Sequence, residues 1–299
     1  LSDRHATLLS VVPIVMPMAD HLLCLHHLQA NIDQNVRQRL GGRWGAFLSQ
    51  FWSVYRAVSP EDFQKGWDAM VKQFPEAADY LNTQLWPCQE RWAWTFVVFK
   101  FTAAIRTNGR VESENRVTKT FGGPKTNVMQ LFDGLNERTS GQSVQEMRKA
   151  RDSSRRQHPR TIETMFPGVL SLLRQLAGPY ALQECYKQME ESVFYRVEVV
   201  PLPHGVRNWQ MINMFTNDNT YLGAKWVLRL IHSRGLQVRN VLRVVHQGTG
   251  KQHLVALLDN KSYVCDCAMG MNLGIPCRHY FSVLTSVREF RFHISVVRS

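Results

Sequence analysis

The chain has 299 residues, 44% of them hydrophobic, with 36 Lys and Arg against 24 Asp and Glu and a formal net charge of +12. That length carries roughly two domains and that apolar content fills packed cores, which excludes a disordered or fibrous chain. No run approaches the ~18 consecutive apolar residues of a membrane span and no secretory leader opens the sequence, so a soluble intracellular protein without a membrane partner is expected, drawn by its charge toward polyanions and nucleic acid first.

The chain opens on Leu1 rather than Met, and Ser2 to Ala6 reads as the end of a strand running into a helix, so the start is expected to lie inside a larger unit. From Ala6 to Arg39, Leu8, Leu9, Val12 and Val15, then Leu22, Leu23, Leu28 and Ile32, predict two helical stretches broken at Pro13 and Pro17, with a short strand at His21 to Cys24. Aromatic residues recur at helical spacing between Trp44 and Arg106, among them Phe47, Phe51, Trp67 and Trp92, and predict the core of a small helical bundle. Ser59 as N-cap, Pro60 and the acids Glu61-Asp62 mark a helix start. The polar turn Thr107-Asn108-Gly109-Arg110 leads into a helix over Val111 to Lys119, and Phe121-Gly122-Gly123-Pro124 breaks it. Arg148, Lys149, Arg151, Arg155, Arg156 and Arg160 make Gly141 to Ile162 strongly basic, a solvated helix or linker, or a nucleic-acid contact. One or two helices follow over Phe166 to Glu191. After that the period shortens: Val193 to Val200, Val241 to Val245, His253 to Leu258 and Ser262 to Cys265 read as short antiparallel strands, and Cys277 to Thr285 returns to a helical pattern.

Of the six cysteines, Cys24, Cys88 and Cys185 are isolated and three cluster from Cys265 to Cys277. The cluster reads as metal binding rather than a disulfide framework. Cys265-x-Cys267, nine residues and Cys277-x-His279 supply three thiolates and one imidazole, the full tetrahedral set of a closed structural zinc with no position left for a reacting water. Cys265 and Cys267 end a strand while Cys277 and His279 open a helix, so one Zn2+ would lock strand, loop and helix together. Buried free cysteines are the bland alternative.

The segment from Tyr263 to Cys267 and the ending Gly274-Ile275-Pro276-Cys277-Arg278-His279 resemble the SWIM zinc finger, whose pattern is C-x-C…C-x-H. The resemblance implies binding of DNA or of a protein partner through this module. Further motifs extend it upstream. Ser2-Asp3-Arg4-His5, the Cys24-x-x-His27 pair with Asn31, and Thr107-Asn108-Gly109-Arg110-Val111-Glu112-Ser113 with Asn115 resemble the second half of a Mutator-like (MULE) transposase domain, in which a helical insertion precedes the last acid and a SWIM finger follows. This resemblance implies that Asp3 and Glu112 are the second and third acids of an Asp-Asp-Glu triad that holds two Mg2+ or Mn2+ ions for DNA cleavage and joining. Glu114 is a rival for Glu112, which keeps the family spacing to Ser113 and Asn115. On their own, acids at a helix start are ordinary capping residues, Cys24 a buried thiol and His27 a surface histidine.

The expected fold is thus α+β, with three parts. Residues 1–140 are a partial RNase H-like transposase domain, with a helical insertion at about 32–106. Residues 141–192 form a basic helical connector. Residues 193–299 are a strand-rich region holding a small β-β-α SWIM module at about 253–287. The first Asp of the triad is expected upstream of Leu1, so this chain by itself is not expected to cut DNA. Two functions remain open: a nuclear, DNA-binding part of a transposase, or a domesticated regulator that binds DNA or protein without catalysis.

Overall fold

The computed structural model describes the chain except residues 124–125, 156–159, 203, 205–208, 210–220 and 298–299. Pro124 and Arg156 thus lie outside the described residues.

Among the described residues the first part is helical. α1 (Ala6–Val15) is followed by α2 (Leu25–Leu40), α3 (Trp44–Tyr55), α4 (Pro60–Gln73), α5 (Pro75–Tyr80), a wider π turn over Leu81–Leu85, a tighter 3-10 turn over Trp86–Arg91 and the short α6 (Trp94–Val97). Pro13 does not break α1, contrary to expectation. A proline inside a helix frees the carbonyl four residues back, and here that carbonyl, on Leu9, lies 3.4 Å from the Arg91 Nη1 donor. The strand expected at His21 to Cys24 is a single parallel bridge, Ser2 to Leu23. At α4 the expected start is in place: Pro60 occupies the first turn and the Ser59 hydroxyl accepts from the Asp62 N–H at 3.1 Å.

The aromatic residues form the expected bundle core. Phe47, Phe51, Phe63, Trp67 and Trp92 are at most 2% exposed. Trp92 stacks on Phe51 at 5.5 Å and meets Phe63 edge-on at 5.7 Å, and its indole N–H donates to the Leu85 carbonyl at 3.1 Å.

α7 (Gly109–Phe121) and the long α8 (Val128–Arg155) come next. α8 starts well before the basic run, because Asn127 and Gln130 form a reciprocal cap: the Gln130 N–H donates to Asn127 Oδ1 at 2.8 Å and the Asn127 N–H to Gln130 Oε1 at 3.2 Å. α9 (Arg160–Met165), α10 (Pro167–Leu176) and α11 (Pro179–Ser192) lead into β1 (Tyr195–Val200). α12 (Ala224–Ser233), which the sequence reading did not contain, precedes β2 (Val238–His246), β3 (Gln252–Leu258) and β4 (Tyr263–Cys265). α13 (Met269–Asn272), α14 (Arg278–Ser286) and a 3-10 turn over Ile294–Val296 close the order.

The four strands make one antiparallel sheet in the order β1-β2-β3-β4. Its two faces follow the alternation of the strands. Leu242, Val244, Val255, Leu257 and Cys265 point into a core shared with α9, α10, α11 and α14. Val241, Leu254, Ala256 and Leu258 point the other way, against Val227, Leu228 and Ile231 of α12 and Val98 beyond α6. The sheet is thus covered on both sides, and helices from the expected connector complete the core of the cysteine-bearing face.

Candidate metal centre

Cys265 ends β4 opposite Val255 of β3, so its sulfur shares the face that α14 covers. The Asp266 N–H bonds back to the Leu254 carbonyl at 3.0 Å, the chain turns through Ala268 in the left-handed region, and α13 carries it to Gly274, Pro276 and Cys277. Cys277 is the N-cap of α14 and His279 sits in its first turn. That turn is anchored from α11: Gln188 Oε1 accepts from the Arg278 N–H at 3.1 Å, satisfying a helix-start donor, and Arg278 also pairs with Glu191 at 3.0 Å.

The result is convergence of all four expected ligands. One donor atom each from Cys265, Cys267, Cys277 and His279 lies within 4.8 Å of the others. A tetrahedral ion with metal–sulfur bonds of about 2.3 Å needs sulfur–sulfur edges of about 3.8 Å, so the cluster can close on a metal ion by small side-chain adjustments. His279 Nδ1 is 3.3 Å from Cys265 Sγ, which makes Nδ1 the nitrogen turned into the cluster, and Nε2 is buried without a hydrogen-bond partner.

The charges fit the same conclusion. Burial opposes ionisation of Cys277, but hydrogen bonds with Cys265, Cys267 and His279 outweigh it and hold this thiol well below the usual thiol range. Burial, followed by bonds to its sulfur neighbours, pushes Cys265 well above that range. A divalent cation among the three sulfurs would favour their ionised forms and offset the cost of burying them.

Two residues that the sequence reading missed complete the site. His253 and Asp266 are each 1% exposed. Asp266 accepts from the Leu254 N–H at 3.0 Å, its other oxygen lies 3.4 Å from His253 Nδ1, and the His253 ring stacks on His279 at 3.9 Å. A charged residue inside an apolar hairpin was the available signal. Its partner is visible only once the register sets His253 and Val255 on the face of Cys265.

The expected acids lie elsewhere, linked through one face of α2. Cys24, His27 and Asn31 recur at helical spacing. The Cys24 thiol donates to Asn108 Oδ1 at 2.9 Å, His27 Nε2 is 3.4 Å from Glu112 Oε1, and Asn31 Nδ2 donates to Asp3 Oδ1 at 3.1 Å. The polar turn, Glu112 and Asp3 thus meet successive rungs of a single helix face. Glu114, the rival, is turned away to Arg138 through two 2.7 Å bonds. Among the described residues, no group of three metal-binding side chains includes Asp3 or Glu112.

Of the basic run, Arg148 and Arg151 lie exposed on α8, and Arg160 is exposed at the start of α9. No helix among the described residues is long and apolar enough to cross a membrane.

The chain is similar to Protein FAR1-RELATED SEQUENCE 11 of Arabidopsis thaliana, 23% identical over 133 residues that cover 44% of this chain and 20% of that protein. Protein FAR1-RELATED SEQUENCE 4 of the same plant is 22% identical over 139 residues, 45% of this chain and 18% of the relative. Putative protein FAR1-RELATED SEQUENCE 10, also from Arabidopsis thaliana, is 24% identical over 108 residues, 36% of this chain and 16% of the relative. The matched stretches therefore span at most a fifth of these relatives. No family model and no solved structure matches the chain.

Proposed function

We propose that this chain is a zinc-binding, DNA-binding protein descended from a Mutator-like transposase, with residues of about 253–287 forming a SWIM-type finger. The observation that carries the reading is the buried Cys265, Cys267, Cys277 and His279 cluster, which bridges a strand end and a helix start. Soft thiolates with one imidazole favour Zn2+ over harder cations, and four protein donors leave no open position, so the ion would hold structure rather than activate water. Similarity to FAR1-related proteins supports transposase descent. The α2 face that engages Asn108, Glu112 and Asp3 is further support, because it gathers the motifs assigned to the transposase core.

In this proposal residues 1–140 are the RNase H-like part with its insertion, 141–192 the connector and 193–299 the zinc-bearing region, and the protein works in the nucleus. DNA transposition would require Asp3 and Glu112 to share Mg2+ or Mn2+ with a further acid, because two carboxylates do not hold a metal pair.

The test is metal analysis of the purified chain together with titration of a short random-sequence duplex. About one zinc per chain is expected, with binding that weakens steeply between about 50 and 200 mM salt. A zinc-loaded chain that ignores DNA at low salt would overturn the DNA reading. The second reading, a non-catalytic regulator that binds a protein through the finger, is favoured by the engagement of Asp3 with Asn31 and of Glu112 with His27, which ties both acids into the α2 face.

A further inference from the structure

We propose that the groove between the β3–β4 turn and the C-terminal segment is a phosphodiester-binding site that grips the backbone of DNA; this rests on the DNA-binding reading above. The groove has a volume of about 690 Å³ and is walled by Lys261, Tyr263, Gly270, Arg291 and His293. Lys261 and Arg291 also line a second cavity of about 250 Å³, so the two cations stand on a ridge between two hollows.

Two features of this ridge point to an anion. Lys261 holds a backbone φ of +67°, the left-handed region that glycine or asparagine occupies at lower cost, in a turn closed by its N–H to the Leu258 carbonyl at 3.0 Å. A lysine at a strained backbone position is a candidate for function. Second, Lys261 and Arg291 have no carboxylate partner among the described residues, whereas neighbouring Arg239 is paired with Glu289 at 3.3 Å. Arg291 donates from Nη1 to the Arg288 carbonyl at 2.8 Å, which orients the guanidinium and leaves its Nε and Nη2 edge for a ligand.

The ridge is open on both sides, which suits a linear polyanion passing over it better than an isolated phosphate held in a closed cage. The net charge of +12 favours the same partner. Neither cation belongs to the basic run on α8 and α9, so this is a separate footprint.

The experiment is anisotropy titration of a random-sequence duplex with the full zinc-loaded chain and with the Lys261→Gly, Arg291→Gln double variant. Lys261→Gly relieves the left-handed turn, so the variant keeps its fold and its zinc. Two lost phosphate contacts should lower the slope of log affinity against log salt by about 1.8. The wild type's advantage should then shrink about 12-fold between about 50 and 200 mM salt. An unchanged slope would overturn the groove while leaving DNA binding intact. Displacement of the duplex from the wild type by inorganic pyrophosphate at equal phosphate concentration would also overturn it, in favour of a small-anion site. If the wild type shows no salt-dependent DNA binding, the underlying reading fails and takes this one with it.

Discussion

Replacing Cys277 by Ser removes one of four ligands and tests the metal centre most directly. Structural zinc sites release about 10–16 kcal/mol at neutral pH, so an even quarter is roughly 2.5–4 kcal/mol, or about 10²–10³-fold in zinc affinity. The variant should lose its zinc to a chelator that leaves the wild type loaded. The structure also says where the loss will be felt. The β4–α13 loop is closed by the Ala268 N–H to the Cys265 carbonyl at 2.9 Å and the Leu273 N–H to the Met269 carbonyl at 2.8 Å. It is also tied to the helical part, where the Thr102 N–H donates to the Asn272 carbonyl at 3.0 Å. Hydrogen exchange at Ala268, Leu273 and Thr102 should accelerate in the variant. The bundle core around Phe47, Phe51 and Trp92 shares no buried residue with the metal-side core, so amides of α3 and α4 should keep their protection. Full zinc retention against the chelator would refute the ligand assignment, and uniform loosening of the bundle would refute the separation of the two cores.

Gly270→Ala should destabilise the protein by about 1–3 kcal/mol, because its Cβ would stand 2.5 Å from the Tyr263 hydroxyl, and adding Tyr263→Phe should recover most of the loss in urea denaturation. Trp92→Ala should cost about 3–5 kcal/mol in the same assay without lowering bound zinc, since Trp92 is 1% exposed in the bundle core. Burial, then the Arg91 guanidinium 3.0 Å from Nδ1, lowers the His21 pKa from its ordinary value, so the neutral ring is the form the fold prefers. Its contribution is present above about pH 6.5 and is lost as pH falls through the lower folded value; the melting-temperature gap between wild type and His21→Gln should therefore shrink on acidification, and a gap that stays constant would contradict this.

The clustering of the four candidate metal donors was legible because C-x-C and C-x-H pairs report chemistry without any knowledge of contacts. The aromatic bundle was legible for a similar reason: helical spacing of Phe51, Phe63 and Trp67 survives any arrangement of the helices. What escaped needed partners. Pro13 looked like a stop because the guanidinium that caps the freed carbonyl comes from Arg91, far along the chain. α12 carries Val227, Leu228 and Ile231 on one face, a signal passed over because β-branched residues surround it. Asn127 and Gln130 are a readable capping pair, and with them α8 could have been started at its true position. Asp266 and His253 could not have been paired before the β3–β4 register was known.

The position of the candidate metal site follows from the uneven ladder of the sheet. β2 and β3 run together from Val238↔Leu258 to Val245↔Gln252, whereas β4 matches β3 only at Val255↔Cys265, Ala256↔Val264 and Leu257↔Tyr263. Three residues of edge pairing do little to fix the long return from Cys265 to α14, and a metal ion at the point where the ladder stops would add that constraint. The loop held there also reaches the other half of the molecule. Asn272 donates to the Lys100 carbonyl at 3.1 Å and Thr102 Oγ1 at 3.2 Å, and the chain runs from there to Asn108, held by Cys24 at 2.9 Å, and on to Glu112, 3.4 Å from His27. The loop that carries Asn272 therefore fixes the near end of the segment that delivers the polar turn to α2.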